Sequence, residues 1–312
     1  MVKGKYFTVT GAASGIGRST ALILVQKGAA GISISDVNLQ GLQETEKECK
    51  SINPSLHVHA AVVNVGNRSE VEAWISSAVS VFPGQTIDGC ANVAGIAGGD
   101  GTVTIETIDQ EDWDRTMKVN LTGILNCMRA QLPHVKRPGG SVLNVASTAG
   151  RRGLPHSAAY STSKFAVIGL TETAAGEYGG RGVRINALLP GPVDTKIFRD
   201  GEAKGLFDSD MLSRLTLLGR MGKADEVAKV ACFMLSDEAS WVTGGKSVCF
   251  DTPRPSSVAE VSLTSHDAQL IGMWMGDFWR AEAAHELGWK CCCLQTGHND
   301  ALGISILLDM QA

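Results

Sequence analysis

No uninterrupted run of about 18 apolar residues occurs anywhere in this chain of 312, so a membrane span is not expected. The N-terminus, MVKGKYFTVTG, offers only a short apolar run before a glycine-rich turn, with neither a signal-type apolar core nor a small-residue cleavage site, so no export is expected. Neither sign of charge dominates. The 28 Lys and Arg stand singly among 32 Asp and Glu, giving a formal net charge of -4 and leaving no basic stripe for nucleic acid and no polybasic patch for a lipid surface. The eight cysteines contain no C-x-x-C pair and no disulfide-scaffold density, which fits a reducing compartment. A cytoplasmic protein with a small-molecule partner is the expectation. One arrangement invites a metal: Cys291, Cys292 and Cys293, near His285 and His298. Adjacent cysteines rarely reach one tetrahedron together, so no metal is expected.

What the chain does have is alternation. From residue 5 to about 250, short β-rich runs (YFTVT, GISIS, HVHAAVV, IDGCANVAG, GGSVLNVAS, GVRINALLP) take turns with helical stretches such as GRSTALILVQKG and SAAYSTSKFAVIGLTETAAGEY. Strands joined through helices imply right-handed crossovers and a parallel sheet covered on both faces, and near-continuous apolar strands agree. The expected fold class is α/β, a single Rossmann-type doubly wound parallel sheet. Residues 1–251 form the expected domain. TPRPSSVAE then reads as a linker, and the Trp-, Cys-, His- and Met-rich residues to 312 form an atypical C-terminal tail.

In such a sheet, ligands bind beyond the carboxyl ends of the strands. The first strand ends in TGAASGIGRST, where Gly11, Gly15 and Gly17 let the backbone approach a pyrophosphate, and Ser14 and Ile16 complete the turn into a helix whose free amides attract anions. About 20 residues on, an acid, Asp36, ends the second strand. A carboxylate there accepts hydrogen bonds from an adenosine ribose and repels a 2'-phosphate, which favours NAD(H), with NADP(H) the alternative. Arg18 is the competing signal, since a guanidinium pairs with phosphate. Asn64 and Val65 end the third strand and either meet the adenine or close a turn. Asn92, Ala94 and Gly95 border the cofactor from the fourth.

The segment AAYSTSKFAV carries Tyr160 and Lys164 on one helix face, and Ser147 ends the preceding strand. Tyrosine and lysine titrate near 10 and 10.4, so neither is a proton carrier at neutrality on its own. A cation about 5 Å from the phenol, at an effective dielectric near 20, supplies about 3 kcal/mol towards the phenolate. Lys164 is therefore expected to lower the Tyr160 pKa, with an oxidised nicotinamide completing the shift.

These residues resemble the short-chain dehydrogenase/reductase family in its compact single-domain form, over residues 4 to about 250. TGAASGIG is similar to its cofactor turn, NVAG to its NNAG element and YSTSK to its YxxxK motif. The resemblance implies that Ser147 polarises the substrate oxygen, Tyr160 exchanges its proton and Lys164 binds the nicotinamide ribose. It also implies that Asn120, in KVNLTG, holds a relay water, and that Pro190, Gly191 and Val193 lie along the nicotinamide while Thr195 bonds its carboxamide. It implies a dimer or tetramer.

The segment from Lys196 to Arg220, with Phe198, Leu206, Phe207, Met211 and Leu212, suits a lid over an apolar substrate, though a surface helix pair with one buried face has the same pattern. The wording is similar to members from fungal secondary-metabolite pathways, whose substrates are often polycyclic ketones or alcohols. Val93 and Asn64 depart from the family's Asn and Asp, and no Gly-Gly follows Asp251, so the tail reads as a read-through or an altered exon end. Intact mass from the native source would contradict that by showing all 312 residues. The expected function is an oxidoreductase acting on a secondary alcohol or ketone. The alternatives are a catalytically inactive dinucleotide-binding regulatory protein and a non-redox cyclase or isomerase.

Overall fold

The computed structural model describes residues 1–99, 101–203, 205 and 208–249. The cysteine run, His285 and His298, the tail from residue 252, and Leu206 and Phe207 of the expected lid lie outside the described residues. Contacts group Met1–Arg254 as one compact unit.

Seven strands build one parallel sheet: β1 (Tyr6–Thr10), β2 (Gly31–Asp36), β3 (His57–Val62), β4 (Gly89–Asn92), β5 (Ser141–Val145), β6 (Arg184–Pro190) and, after a two-stranded pair of β7 (Val193–Asp194) and β8 (Gly222–Lys223), β9 (Lys246–Cys249). The order is β3-β2-β1-β4-β5-β6-β9, so the chain reverses direction across the sheet between β1 and β4. The helices are α1 (Gly15–Gln26), α2 (Leu39–Ile52), α3 (Arg68–Val81), α4 (Gln110–Met117), α5 (Gly123–Gln131), α6 (Ala158–Gly179), α7 (Lys196–Ala203), α8 (Ser209–Leu215) and α9 (Ala224–Leu235). The doubly wound α/β expectation is the observed fold.

Two apolar cores follow from that layering. Phe7, Val9, Ile32 and Ile34 of the sheet pack with Leu24 of α1, Leu42 of α2 and Val227 and Ala231 of α9 on one side. Val142, Ile185 and Leu189 pack with Val71 and Ile75 of α3, Ile124 and Met128 of α5 and Val167 of α6 on the other. All five residues of β5 are buried, as a strand covered on both faces requires. β3 is an edge strand and alternates between half-buried and exposed residues, with Val62 open to solvent.

The glycine-rich turn is packed as tightly as its sequence suggests. Gly11 has φ +67°, and a Cβ there would stand 2.9 Å from the Ala94 amide; a Cβ on Gly17 would stand 2.1 Å from the Gly11 carbonyl oxygen. Any larger residue at either position would push the turn off the end of β4 or lift α1 from β1.

The stretch from Asp114 to Leu132, which reads as one helix, is interrupted. α4 and α5 are separated by a π-helical turn, Lys118–Thr122, with Asn120 buried inside it. Such single-turn widenings collect at functional sites because they redirect one side chain without ending the helix.

Candidate active site

A cavity of about 650 Å³ opens at the carboxyl ends of the strands, where the strand order reverses between β1 and β4. Gly11, Ser14, Gly15, Ile16 and Gly17 line one end with Asp36, Asn64 and Val65, and Ala94 and Gly95 line the middle. Ser147, Tyr160, Lys164, Pro190, Gly191, Val193 and Thr195 line the other end. Two of the expected site residues, Asn92 and Asn120, are not in its wall.

Asn92 lies outside the cavity wall and within a buried network. It is 1% exposed, and its Nδ2 donates to Gln131 Oε1 at 3.1 Å and Asn144 Oδ1 at 2.9 Å, while Gln131 Nε2 donates back to Asn92 Oδ1 at 3.0 Å. Thr8 and Thr171 extend this network beneath the cavity. A buried carboxamide needs its hydrogen bonds satisfied locally, and here they tie β4, β5 and α5 together. The alternation of a strand decides this outcome, since Asn92 is the last residue of β4 and its side chain turns into the helix layer.

Asn120 lies just behind the wall. Its Oδ1 accepts from Ile96 N at 2.8 Å, and its Nδ2 donates to Ile96 O at 2.9 Å and to Ser163 Oγ at 3.1 Å. Both ends of the carboxamide are taken, so the side chain holds the loop after β4 against α6. A Cβ on Gly95 would come within 3.2 Å of Asn120 Oδ1 and 3.5 Å of Lys164 Nζ, so a side chain there would crowd both groups.

Lys164 is 3% exposed. Its Nζ donates to the Val145 carbonyl at 2.9 Å and stands 5.6 Å from the centre of the Tyr160 ring. Burial lowers its pKa from 10.5 to about 8. The Ser147 hydroxyl accepts from Ala149 N at 3.1 Å, which caps the short turn Thr148–Gly150 and leaves the O–H proton to donate elsewhere. For Tyr160 the direction differs from expectation: burial pushes the phenol up, and the interaction with Ser147 pulls it back only in part. In the chain alone, desolvation of the phenolate outweighs its neighbours.

At the opposite end, Ser14 caps α1 without a side-chain hydrogen bond, and the first turn of the helix holds no acid. By contrast Asn38, Asn67, Asp109 and Asp208 cap α2, α3, α4 and α8 through their own side chains. The first turn of α1 thus has no side-chain cap over its amides, as an anionic pyrophosphate needs. Asp36 accepts from Ala13 N and Asn38 N, both at 3.0 Å, and still presents its carboxylate to the cavity. Asn64 Oδ1 accepts from Gly66 N at 3.0 Å, which closes a turn, and the residue also lines the wall. The Thr195 hydroxyl is shared weakly, at 3.4 Å each, with Val193 O and Phe198 N. These residues fit a nicotinamide dinucleotide.

The remaining wall includes apolar Ile96, Ala97, Leu154, Ile197, Phe198 and Leu212, together with polar Arg115, Thr148, Ser157 and Thr216. Ile197, Phe198, Leu212 and Thr216 are the described lid residues in the wall, whereas Met211 is 54% exposed and outside it. Sequence reasoning missed Ile96, Ala97 and Leu154, which sit in irregular loops with no motif; only their apolar character was visible. Four cysteines, Cys49, Cys90, Cys127 and Cys232, are buried free thiols whose pKa burial raises. Among the described residues no group of His, Cys, Asp and Glu could hold a metal ion, and no helix is long and apolar enough to cross a membrane.

Comparison with known proteins agrees with this geometry. A family model described as "Enoyl-(Acyl carrier protein) reductase" matches residues 11–250. The "Short-chain dehydrogenase/reductase ABA4" of Pyricularia oryzae is 38% identical over 243 residues, covering 77% of this chain and 88% of that protein. The "Chanoclavine-I dehydrogenase ifgE" of Penicillium roqueforti is 34% identical over 250 residues, covering 78% of this chain and 95% of the other. Among solved structures, NAD+-bound xylitol dehydrogenase superposes with a TM-score of 0.73 at 28% identity, covering 80% of this chain and 99% of that one.

Proposed function

The chain belongs to the short-chain dehydrogenase/reductase family, is similar to its fungal secondary-metabolite enzymes and is an oxidoreductase; from that premise we propose that it uses NAD(H) to interconvert a secondary alcohol and a ketone on an apolar substrate. Residues 1–251 carry the activity in this reading. One observation supports it most: Ser147, Tyr160 and Lys164 line a single cavity whose other end is an uncapped helix N-terminus and a carboxylate. When bound, the nicotinamide supplies or accepts the hydride and, oxidised, brings a positive charge.

The chain's own residues would handle the oxygen and its proton. Ser147, already accepting from Ala149 N, donates to the substrate oxygen and fixes it beside Tyr160. Tyr160 gives its proton to that oxygen in reduction and takes it back in oxidation. Its raised pKa keeps it protonated and ready to donate in the chain alone. Lys164, still largely an ammonium at neutrality with a pKa of about 8, stands 5.6 Å from the ring and stabilises the phenolate by about 3 kcal/mol at an effective dielectric near 20. Asn120 is a positioning residue, since its carboxamide is spent on Ile96 and Ser163. The wall of Ile96, Leu154, Ile197, Phe198 and Leu212 excludes water and favours an apolar substrate body.

NAD(H) over NADP(H) is supported by Asp36 in the wall, and by Arg18, which is outside it. The test is a titration with NADH and NADPH followed by nicotinamide fluorescence, then reduction of a panel of apolar ketones by wild type and Tyr160→Phe. Tighter NADPH binding would overturn the cofactor assignment, and undiminished turnover in the phenylalanine variant would overturn the role of Tyr160.

A further inference from the structure

Arg18 is the one cation of the glycine-rich turn, and the structure shows what occupies it. Its Nη2 is hydrogen-bonded to Glu48 Oε1, and its Nη1 lies 3.5 Å from Glu44 Oε2. Glu44 and Glu48 are one helical turn apart on α2, so both carboxylates face α1. Their hydrogen bonds and charge raise the Arg18 pKa further. The helix that carries them is locked onto the turn itself: the Thr45 hydroxyl donates to Ala12 O at 2.8 Å, and a Cβ on Gly41 would come within 2.7 Å of Ala13 O. α2 therefore cannot move its acids away from Arg18 without leaving the cavity's adenosine end. That end is walled by Asp36, while Arg18 has its charge turned towards α2.

We propose that Glu44 and Glu48 are specificity-determining residues: together they form a clasp that withholds the Arg18 guanidinium from a 2'-phosphate and leaves Asp36 as the reader of the adenosine ribose. This rests on the reading above that the cavity takes a nicotinamide dinucleotide and prefers NAD(H). The clasp works by competition, since a phosphate must displace two carboxylates already paired with the guanidinium.

The experiment is a fluorescence titration of the full chain with NADH and NADPH, for wild type, Glu44→Gln/Glu48→Gln, and that double variant with Arg18→Ala added. Both glutamates are about half exposed, at 51% and 46%, so the glutamines leave the core untouched. The double variant is expected to bind NADPH about tenfold more tightly while NADH affinity stays within about twofold, as one charge-assisted phosphate contact would give. Adding Arg18→Ala should return NADPH affinity to the wild-type value. A double variant with unchanged NADPH affinity, or a gain that survives loss of Arg18, overturns the clasp and leaves the NAD(H) reading standing. A wild type that already prefers NADPH overturns that reading and the clasp together.

Discussion

At the buried end of the cavity, Lys164 is fixed by the Val145 carbonyl and Asn120 by both backbone atoms of Ile96, whereas α7 is fixed at its surface by ion pairs of Lys196 with Asp200 and of Arg199 with Asp194 and Glu202. The two regions face the same space and obey different energetics. A buried polar group that loses its partner bears its full desolvation cost, while an exposed ion pair exchanges protein contacts for water at little loss. The buried corner therefore has one arrangement, and the helices over it can vary in sequence without disturbing it. Proton transfer needs the first property, and choice among substrates can be built on the second.

The largest effect that would sharpen this contrast is loss of the phenol. Tyr160→Phe is expected to lower turnover with an apolar ketone by about a thousandfold, in the range of general acid catalysis, with NADH binding within about twofold of wild type. A variant still turning over at wild-type rate in a stopped-flow assay would break the comparison at its centre.

Lys164→Met should lower turnover by about a hundredfold and also remove a pH dependence of stability. The folded-state pKa of about 8 lies below the ordinary 10.5, so burial costs stability in full below about pH 8. As pH rises through the window from about 8 to 10.5, the unfolded chain holds the proton that the folded chain has released, and stability recovers. Urea unfolding at about pH 7.5 and 9.5 should show wild type gaining about 2 kcal/mol relative to the methionine variant. A flat difference would mean that Lys164 titrates as an exposed lysine.

Asn120→Ala would strip two hydrogen bonds from the half-buried backbone of Ile96 and one from buried Ser163, and is expected to cost about 2 to 3 kcal/mol in urea denaturation, with KM for ketone less affected than kcat. At the other extreme, Leu212→Ser in the cavity wall should raise KM for apolar ketones about threefold to tenfold with little change in melting temperature. Arg199→Gln on the outer face of α7 should leave both within about twofold. A lid variant that damaged proton transfer as severely as Tyr160→Phe would erase the distinction between the regions.

Sequence legibility followed the same divide. The glycine-rich turn, Asp36, Ser147, Tyr160 and Lys164 are each tied to a local rule of spacing, strand end or helix face, and the structure gathers them in one wall. Asn92 satisfies the same kind of rule but faces Gln131 and Asn144, because α5 and the neighbouring strand β5 supplied buried partners that no local pattern announces. The upward shift of Tyr160 was missed for a related reason: the charge of Lys164 is visible four residues away, but the exclusion of water around the half-buried tyrosine belongs to the assembled fold.

The sequence by itself determined the alternation of strands and helices, hence the parallel sheet, and the chemical identity of the groups at its carboxyl edge, since both depend on periodicity and residue type over short distances. Tertiary structure alone decided that Arg18 faces Glu44 and Glu48, that Asn120 holds Ile96 from inside a π-helical turn, and that Lys164 is held low in pKa. Those outcomes depend on which distant elements meet and how much water they exclude, and a desolvation cost exists only once the packing that causes it is complete.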